Sequence, residues 1–322
     1  MIDLNNNKQC NLVSKITSYA LENKDKIALH YENETFSYGT LENISNSFAY
    51  SFSEYGIKKG ASIGVCLPRG PNLIFTIFGL WKIGALYIPI DANYPSDRIN
   101  SIIEQSQIKV IITDKDKLNK IKNDNNIKYY LIETQIESLD PAHSVEFNTD
   151  IDSNQAACAI FTSGTTGYPK GIIIEHGHLY EIISSSCNLF QLNENDASPL
   201  LGSISFDASL YDLLLPLYSG GHCLILDDFC RLEPEYVKKW LSKVTFIHCT
   251  PSLMQFFTSI IEKYDLLLPN IKLVLLGGEA VSPELVQDLK RRIPNIKVYV
   301  VYGPSEVTIL GTFYDYNAPN VM

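Results

Sequence analysis

The chain has 322 residues, 45% hydrophobic and 19% charged, enough for one large or two ordinary domains with a sizeable core, and too apolar for a wholly disordered chain. Its net charge of −10 argues against nucleic-acid binding, which a basic surplus would accompany, and leaves room for a local basic pocket that takes a nucleotide. The start has no cationic segment followed by an apolar stretch, and no run of about 18 apolar residues occurs, so the expectation is a cytoplasmic chain without a signal peptide or membrane span.

The predicted elements run in a repeating order. Residues 62–68 read as a strand that ends in Pro-Arg-Gly, and 71–83 show helical apolar spacing. A short apolar segment at 85–89 precedes a helix over 95–106, opened by proline, and a buried strand at 108–113. From 115 to 155 the composition turns to Asn, Asp, Lys and Ser, with only 128–132 reading as a strand; a loose connection and a lobe boundary near Asn154 are expected. Alternation then resumes, with strands at 156–162, 171–175, 198–203, 222–226, 244–249, 272–276 and 297–301. Helices are expected at 177–189, 207–217, 233–241, 251–263 and 283–292; Ser282-Pro283-Glu284 supplies an N-cap and a first-turn proline. Such alternation predicts parallel sheets with helices on their faces.

The seven cysteines (Cys10, Cys66, Cys158, Cys187, Cys223, Cys230, Cys249) are scattered without C-x-x-C spacing, and the histidines form no H-E-x-x-H pattern. Reduced thiols and no structural metal site are expected.

The most informative segment is Phe161-Thr162-Ser163-Gly164-Thr165-Thr166-Gly167-Tyr168-Pro169-Lys170-Gly171, set between two apolar strands. Its glycines allow backbone N–H groups to converge, its hydroxyls add donors and Lys170 adds positive charge, a combination suited to polyphosphate. Composition alone leaves a flexible hairpin turn equally open. The string is neither a P-loop, since a glycine and a strand follow Lys170, nor a dinucleotide fingerprint, since G-x-G-x-x-G is absent.

The eleven-residue string closely resembles the phosphate-binding signature of the adenylate-forming superfamily, which includes acyl-CoA synthetases, luciferases and adenylation domains. Further motifs occur in the family's order. Phe36-Ser37-Tyr38-Gly39-Thr40-Leu41-Glu42 resembles an early motif, and Leu80-Trp81-Lys82-Ile83-Gly84-Ala85-Leu86-Tyr87-Ile88-Pro89-Ile90-Asp91 the next, in a form typical of amino-acid adenylation domains. Both read as scaffold. Phe206-Asp207-Ala208-Ser209 resembles the fourth motif, whose aspartate pairs with the substrate's α-ammonium in amino-acid adenylation domains. The same Asp207 also reads as an ordinary helix cap. Leu276-Gly277-Gly278-Glu279-Ala280 matches a strand end that lies against the adenine, and two glycines allow a flat ring to approach. Tyr302-Gly303-Pro304-Ser305-Glu306 resembles the fifth motif, which implies that Tyr302 stacks near the adenine, Ser305 contacts the α-phosphate and Glu306 helps hold Mg²⁺. Val300 stands where the family usually has Asn, so a polar contact to the adenine departs from the pattern. His176 matches a histidine frequent in relatives and reads as structural; His178 reads as surface.

The resemblance implies an acyl-adenylate synthetase-like amino-terminal subdomain: two α/β lobes, 1–154 and 155–322, with mostly parallel sheets and flanking helices. It implies an ATP site of Thr162, Ser163, Gly164, Thr165, Thr166, Gly167, Lys170, Gly278, Glu279, Ala280, Tyr302 and Ser305, with catalytic roles for Thr162, Lys170 and Glu306. The implied substrate pocket is Asp207, Ala208, Tyr211, His248, Leu275, Gly277, Val301, Ile309 and Leu310. Tyr211 and His248 can each offer it a hydrogen bond, no second acid appears in it, and a neutral amino acid of appreciable size is expected. His248 also reads as a satisfied core histidine.

The expected reaction is ATP-dependent amino-acid adenylation, followed in relatives by transfer to a carrier-protein phosphopantetheine thiol in nonribosomal peptide synthesis. The family's ribose-binding aspartate and its mobile carboxy-terminal subdomain with a catalytic lysine have no counterpart here, so a truncated chain with impaired adenylation is expected. The alternatives are an acyl- or aryl-CoA ligase of the same fold, which Asp207 would not serve, and a non-catalytic binding fragment.

Overall fold

Short β-branched runs alternating with one-faced helices bury both kinds of surface when the strands line up in parallel and the helices cross their faces. A computed structural model describes residues 11–121, 126–132, 147, 151–163, 169–228 and 232–317 and realises that pattern. In chain order the elements of the first half are α1 (Leu12–Glu22), β1 (Ile27–Tyr31), β2 (Glu34–Ser37), α2 (Tyr38–Glu54), β3 (Ser62–Cys66), α3 (Pro71–Lys82), β4 (Leu86–Pro89), α4 (Ser96–Gln105), β5 (Val110–Thr113), α5 (Lys115–Ile121), β6 (Lys128–Leu131) and β7 (Ala156–Ser163). Those of the second half are β8 (Pro169–Glu175), α6 (His176–Phe190), β9 (Ala197–Leu200), α7 (Ala208–Tyr218), β10 (His222–Ile225), α8 (Pro234–Leu241), β11 (Phe246–Cys249), α9 (Pro251–Lys263), β12 (Leu273–Gly277), α10 (Pro283–Arg292), β13 (Lys297–Tyr302) and β14 (Thr312–Asp315).

Contacts group the chain into two units. The first (Met1–Ile27, Phe36–Glu181 and Ile204–Phe206) holds a six-stranded sheet in the order β6-β5-β3-β4-β7-β8. All its neighbours are parallel except the β7–β8 hairpin. Strand β7 joins β4 with Tyr87 opposite Cys158, so 156–181 belong to the first unit. The boundary expected near Asn154 therefore falls inside that unit: the polar stretch marks a connection, not a seam. Helix α5 also lies in the stretch expected to be loose. Its sequence, KDKLNKI, has only Leu118 and Ile121 as apolar residues, too weak a stripe to read as a helix. Much of the remaining connection lies outside the described residues.

A buried cation ties the helices of this unit together. Lys82 Nζ, at the end of α3, lies 2.7 Å from Glu42 Oε1 and 2.6 Å from Asn46 Oδ1, both on α2. Glu42 Oε2 accepts from the Thr17 hydroxyl of α1 at 2.8 Å. Removal from water draws the Lys82 pKa down while Glu42 raises it, so the pair is mutually dependent.

The second unit (Ala28–Thr35, Ile182–Ser203 and Asp207–Met322) carries two four-stranded sheets, β2-β1-β10-β9 and β11-β12-β13-β14. The β1–β10, β10–β9, β11–β12 and β12–β13 pairs are parallel, whereas β13–β14 is antiparallel. Asp196 fastens the start of β9 to the second of these sheets: Oδ1 accepts from the Thr245 hydroxyl at 2.7 Å and Oδ2 lies 2.9 Å from Lys272 Nζ. The sheet buries Val274 and Leu276 against Val237, Trp240, Phe257 and Leu289 of the covering helices. The cap read from sequence at Ser282 forms, accepting from Leu285 N–H at 3.2 Å ahead of α10, and Thr250 caps α9 in the same way, accepting from Leu253 N–H at 3.3 Å. Among the described residues no helix is long and apolar enough to cross a membrane, and Cys66, Cys158, Cys187, Cys223 and Cys249 are free thiols.

His176 is fully buried at the start of α6, its ring edge-on to Trp81 at 5.5 Å, and neither ring nitrogen has a hydrogen-bond partner among the described residues. Burial lowers its pKa from 6.5 to about 4. A base held neutral in the fold leaves the unfolded chain with more protons below pH 6.5, so stability falls as pH falls and the loss is complete near pH 4. The loss amounts to about 3 kcal/mol. We expect His176→Phe to flatten the pH dependence of urea unfolding across this window by about that amount; an unchanged slope would contradict the assignment.

Candidate active site

The described ends of the glycine-rich segment pair across β7 and β8, with Thr162 opposite Lys170 and Ser163 opposite Pro169. The expectations on Gly164, Thr165, Thr166 and Gly167 fall outside the described residues. Thr162 is half-buried and Lys170 exposed at the hairpin's mouth, and Lys170 has no carboxylate partner among the described residues. Gly171 lies opposite Phe161, and a Cβ at Gly171 would stand 2.9 Å from that ring. The glycine thus lets the phenylalanine lie across the two strands.

The remaining site residues belong to the second unit, where they gather at the carboxyl ends of β11, β12 and β13, the ends at which parallel sheets bind ligands. Asp207 opens α7. Its Oδ1 accepts from Ala208 N–H at 3.0 Å, so the cap reading is correct for that oxygen. The other oxygen, Oδ2, is buried and has no hydrogen-bond partner among the described residues. Burial raises the Asp207 pKa; the Ser305 hydroxyl and the N–H groups of Ala208 and Ile309 pull it back in part. The carboxylate is thus half satisfied, an arrangement that a buried acid tolerates only at a cost.

The chain between β13 and β14 brings Ser305 and Ile309 to bear on Asp207. Gly303 makes its sharp return possible, because a Cβ there would lie 2.2 Å from Ile309 O. A 3-10 turn (Ser305–Val307) follows, and Gly311 N–H closes the loop on Tyr302 O at 2.9 Å. Thr308 and Ile309 both have left-handed backbones, with φ of 61° and 70°. For β-branched residues this costs about 1–3 kcal/mol each and marks a segment held in place by its surroundings.

Tyr211, one helical turn beyond Asp207, is buried, and its hydroxyl donates to Ser186 Oγ at 2.7 Å. Its proton is therefore committed within the fold, which corrects the expectation that Tyr211 offers a hydrogen bond to the substrate. The tyrosine ring meets that of His248 edge-on at 5.2 Å. His248 on β11 is in register with Leu275 on β12, and Gly277 with Val301 on β13. A Cβ on Gly277 would lie 2.8 Å from Val301 Cγ2, so glycine lets these two strand ends pack closely. Leu275 and Val301 are buried, Ile309 is nearly so, and Ala208 and Leu310 are partly exposed.

His248 is not a solitary core histidine. Its Nδ1 lies 2.7 Å from Oδ1 of Asp212, a carboxylate that is 1% exposed. Asp212 Oδ2 accepts from the N–H groups of Leu201 at 3.0 Å and Gly202 at 2.8 Å. Sequence reasoning found no second acid beside the expected pocket and missed this one. Its signal was present: Asp212 is the sole charged residue within the apolar helix ASLYDLLLPLY.

On the nucleotide side, Tyr302 is 67% exposed at the end of β13, leaving its ring open to stacking. Gly278 has φ +83°, and Gly278, Glu279 and Ala280 are exposed. Glu279 accepts from Ser252 N–H at 3.1 Å at the start of α9, and its bonds to Ser252 hold its pKa below the ordinary value. Glu306 is exposed on the 3-10 turn, without an ion-pair partner among the described residues. A single hard carboxylate there suits Mg²⁺, which takes one or two protein carboxylates and fills its shell with phosphate and water. No group of three His, Cys, Asp or Glu forms a metal cage among the described residues.

The comparisons agree with this architecture. Among curated proteins, the chain is 29% identical to tyrocidine synthase 1 of Brevibacillus parabrevis over 296 residues, which is 90% of this chain and 26% of that protein. It is 30% identical to bacitracin synthase 3 of Bacillus licheniformis over 294 residues, 89% of this chain and 4% of that one. The chain thus spans about a quarter or less of the length of these relatives. It shares the fold of the nonribosomal peptide synthetase FmoA3, with a TM-score of 0.87 at 22% identity, covering 97% of this chain and 33% of that one. It likewise shares the fold of the N-terminal subdomain of Klebsiella oxytoca NpsA, with a TM-score of 0.85 at 19% identity, covering 97% and 80% of the two chains. FmoA3 has also been solved with AMPPNP and with alpha-methyl-L-serine-AMP. The family model described as AMP-binding enzyme matches residues 17–321, and the chain belongs to that family.

Proposed function

We propose that this chain carries the nucleotide- and substrate-binding part of an amino-acid-activating, AMP-forming ligase. The amino-acid carboxylate attacks the α-phosphorus of ATP, the bond to the leaving pyrophosphate breaks, and aminoacyl-AMP results. In the proposed setting, nonribosomal peptide synthesis in the cytoplasm, the aminoacyl group then passes to the phosphopantetheine thiol of a carrier protein.

The observation that supports an amino acid above other acids is the buried, unpaired Oδ2 of Asp207. An α-ammonium supplies the missing donor and a compensating charge, and a charge-assisted hydrogen bond in a water-poor site is among the stronger polar contacts. A plain carboxylic acid would leave that oxygen unpaired. The alpha-methyl-L-serine-AMP seen with FmoA3 is in keeping with this reading.

Little covalent work falls to the protein in such a reaction, so positioning and charge placement dominate. In this reading Asp207 orients the amino acid, while Tyr302, Gly278, Glu279 and Ala280 border the adenine. Ser305 contacts the α-phosphate, and Thr162, Ser163, Gly164, Thr165, Thr166, Gly167 and Lys170 hold the phosphate tail. Glu306 would hold Mg²⁺, which when bound neutralises phosphate charge. In this reading the side chain lies near Gly277, and the apolar Val301, Ile309 and Leu310 suit a neutral one.

Asp207→Ala should lower kcat/KM for amino acids by about 100-fold in pyrophosphate exchange while sparing any activity toward acids that lack the amine. Activity confined to acids that lack the amine and unaffected by Asp207→Ala would favour an acyl- or aryl-CoA ligase, equal loss on both classes would make Asp207 a structural residue, and no exchange in the unaltered chain with any acid would favour a binding fragment. Because the Asp207 pKa is raised and the ionised form binds the ammonium, amino-acid affinity should weaken as pH falls through a range above that of an ordinary carboxylate. Calorimetric titration at several pH values checks this, and Asp207→Asn should remove the dependence. Gly277→Ala should raise KM for the amino acid by about tenfold and leave KM for ATP unchanged, because the added methyl crowds Val301.

A further inference from the structure

The Asp212–His248 pair has a polarity that the adenylation reading does not use. The two backbone N–H groups of Leu201 and Gly202 occupy Oδ2 of Asp212, which leaves Oδ1 to face the imidazole. A carboxylate oxygen only accepts, so the proton between the partners belongs to Nδ1 of His248. In the neutral ring the opposite nitrogen, Nε2, is then bare and can only accept. Among the described residues Nε2 has no hydrogen-bond partner, and the side chain keeps 12% exposure, so the side chain is not sealed in the core. The ring's location links it to the substrate end of the unit. It packs on Tyr211, one helical turn from Asp207, and it sits near the carboxyl end of β11 beside Leu275.

Resting on the amino-acid reading above, we propose that Asp212 is a positioning residue that locks the tautomer of His248, and that the bare Nε2 selects substrates whose side chain carries an O–H or N–H donor. The substrate class narrows accordingly to hydroxyl- or amide-bearing neutral amino acids. Purely apolar side chains would leave Nε2 without a partner as water is excluded, and that mismatch is the basis of discrimination.

The backbone donors make the test specific. In Asp212→Asn, the amide oxygen must still accept from Leu201 and Gly202, which turns the NH₂ group toward His248. That NH₂ donates to Nδ1, the ring proton moves to Nε2, and the nitrogen facing the substrate becomes a donor. Long-range ¹H–¹⁵N NMR of the imidazole, above the pH at which it charges, should show bare Nε2 in the unaltered chain and protonated Nε2 in the variant. The same tautomer in both would overturn the proposal.

Calorimetry with Mg²⁺ and a non-hydrolysable ATP analogue would compare threonine with valine, glutamine with methionine, and tyrosine with phenylalanine. In the unaltered chain, the tightest ligand should be a donor-bearing member, bound about tenfold more tightly than its apolar counterpart. In Asp212→Asn, the acceptor-only ligands methionine sulfoxide and O-methyltyrosine should gain on their donor-bearing relatives. His248→Phe, which keeps a ring against Tyr211, should abolish the donor preference, and it decides the matter if Asp212→Asn does not fold. A donor preference that survives His248→Phe overturns this inference and leaves the adenylation reading intact. If the unaltered chain binds no amino acid, both fall together.

Discussion

A carboxylate buried at the mouth of α7 with one oxygen left over sets the terms for the second unit. Asp207 spends Oδ1 on the first N–H of its helix and keeps Oδ2 unpaired. Burial raises the free energy of the charged form and with it the pKa, which the Ser305 hydroxyl and the Ala208 and Ile309 N–H groups offset only in part. Folding tolerates such a group when a ligand supplies what is missing, and an ammonium does so with charge and hydrogen bond together. Nearby departures from easy geometry have the same focus. Thr308 and Ile309 adopt left-handed backbones, and Gly303 admits the close approach of Ile309, so that Ser305 and the Ile309 amide act on Asp207. Distributed strain of this kind persists where a binding group needs support.

The sheets beneath supply rigidity and place the chemistry at their ends. Parallel pairing of β11, β12 and β13 fixes His248, Leu275, Gly277 and Val301 in register, so the wall of the proposed pocket is made from strands, not from loops. The Asp196 bridge to Thr245 and Lys272 ties β9 to this sheet. The peptide between β9 and α7 in turn places its Leu201 and Gly202 amides on Asp212. The backbone of β9 and the bonds at its two ends thus connect the packing of the unit to the orientation of a single imidazole.

Much of this was legible in the sequence, for identifiable reasons. Strands such as β11 and β12 are short apolar runs between turn signals, and helices α9 and α10 announce themselves by a hydroxyl cap followed by proline. The glycine-rich string is long and ordered enough to name a family. Helix α5 was not legible, because two apolar residues in seven make no stripe. The unit boundary was misplaced because composition marks connections, whereas sheet partnership, here β7 with β4, decides which unit a strand joins. Two site details needed coordinates. The Tyr211 hydroxyl is consumed by Ser186, and the Asp212 carboxylate stands behind His248, partners 25 and 36 residues apart that no local pattern links. Asp207 carried two readings in the sequence, cap and anchor; one oxygen accepts the first N–H of the helix, and the other has no partner among the described residues.

The central claim is that Asp207 is an acid awaiting a cation. Titration of its side-chain carboxyl by ¹³C NMR, assigned with Asp207→Asn, tests it directly. In the free chain the group should titrate above the ordinary carboxylate range, and saturating amino acid with an ATP analogue should bring that pKa down, because the bound ammonium favours the charged form. A titration that is ordinary in the free chain, or one that does not move when the amino acid binds, would contradict it.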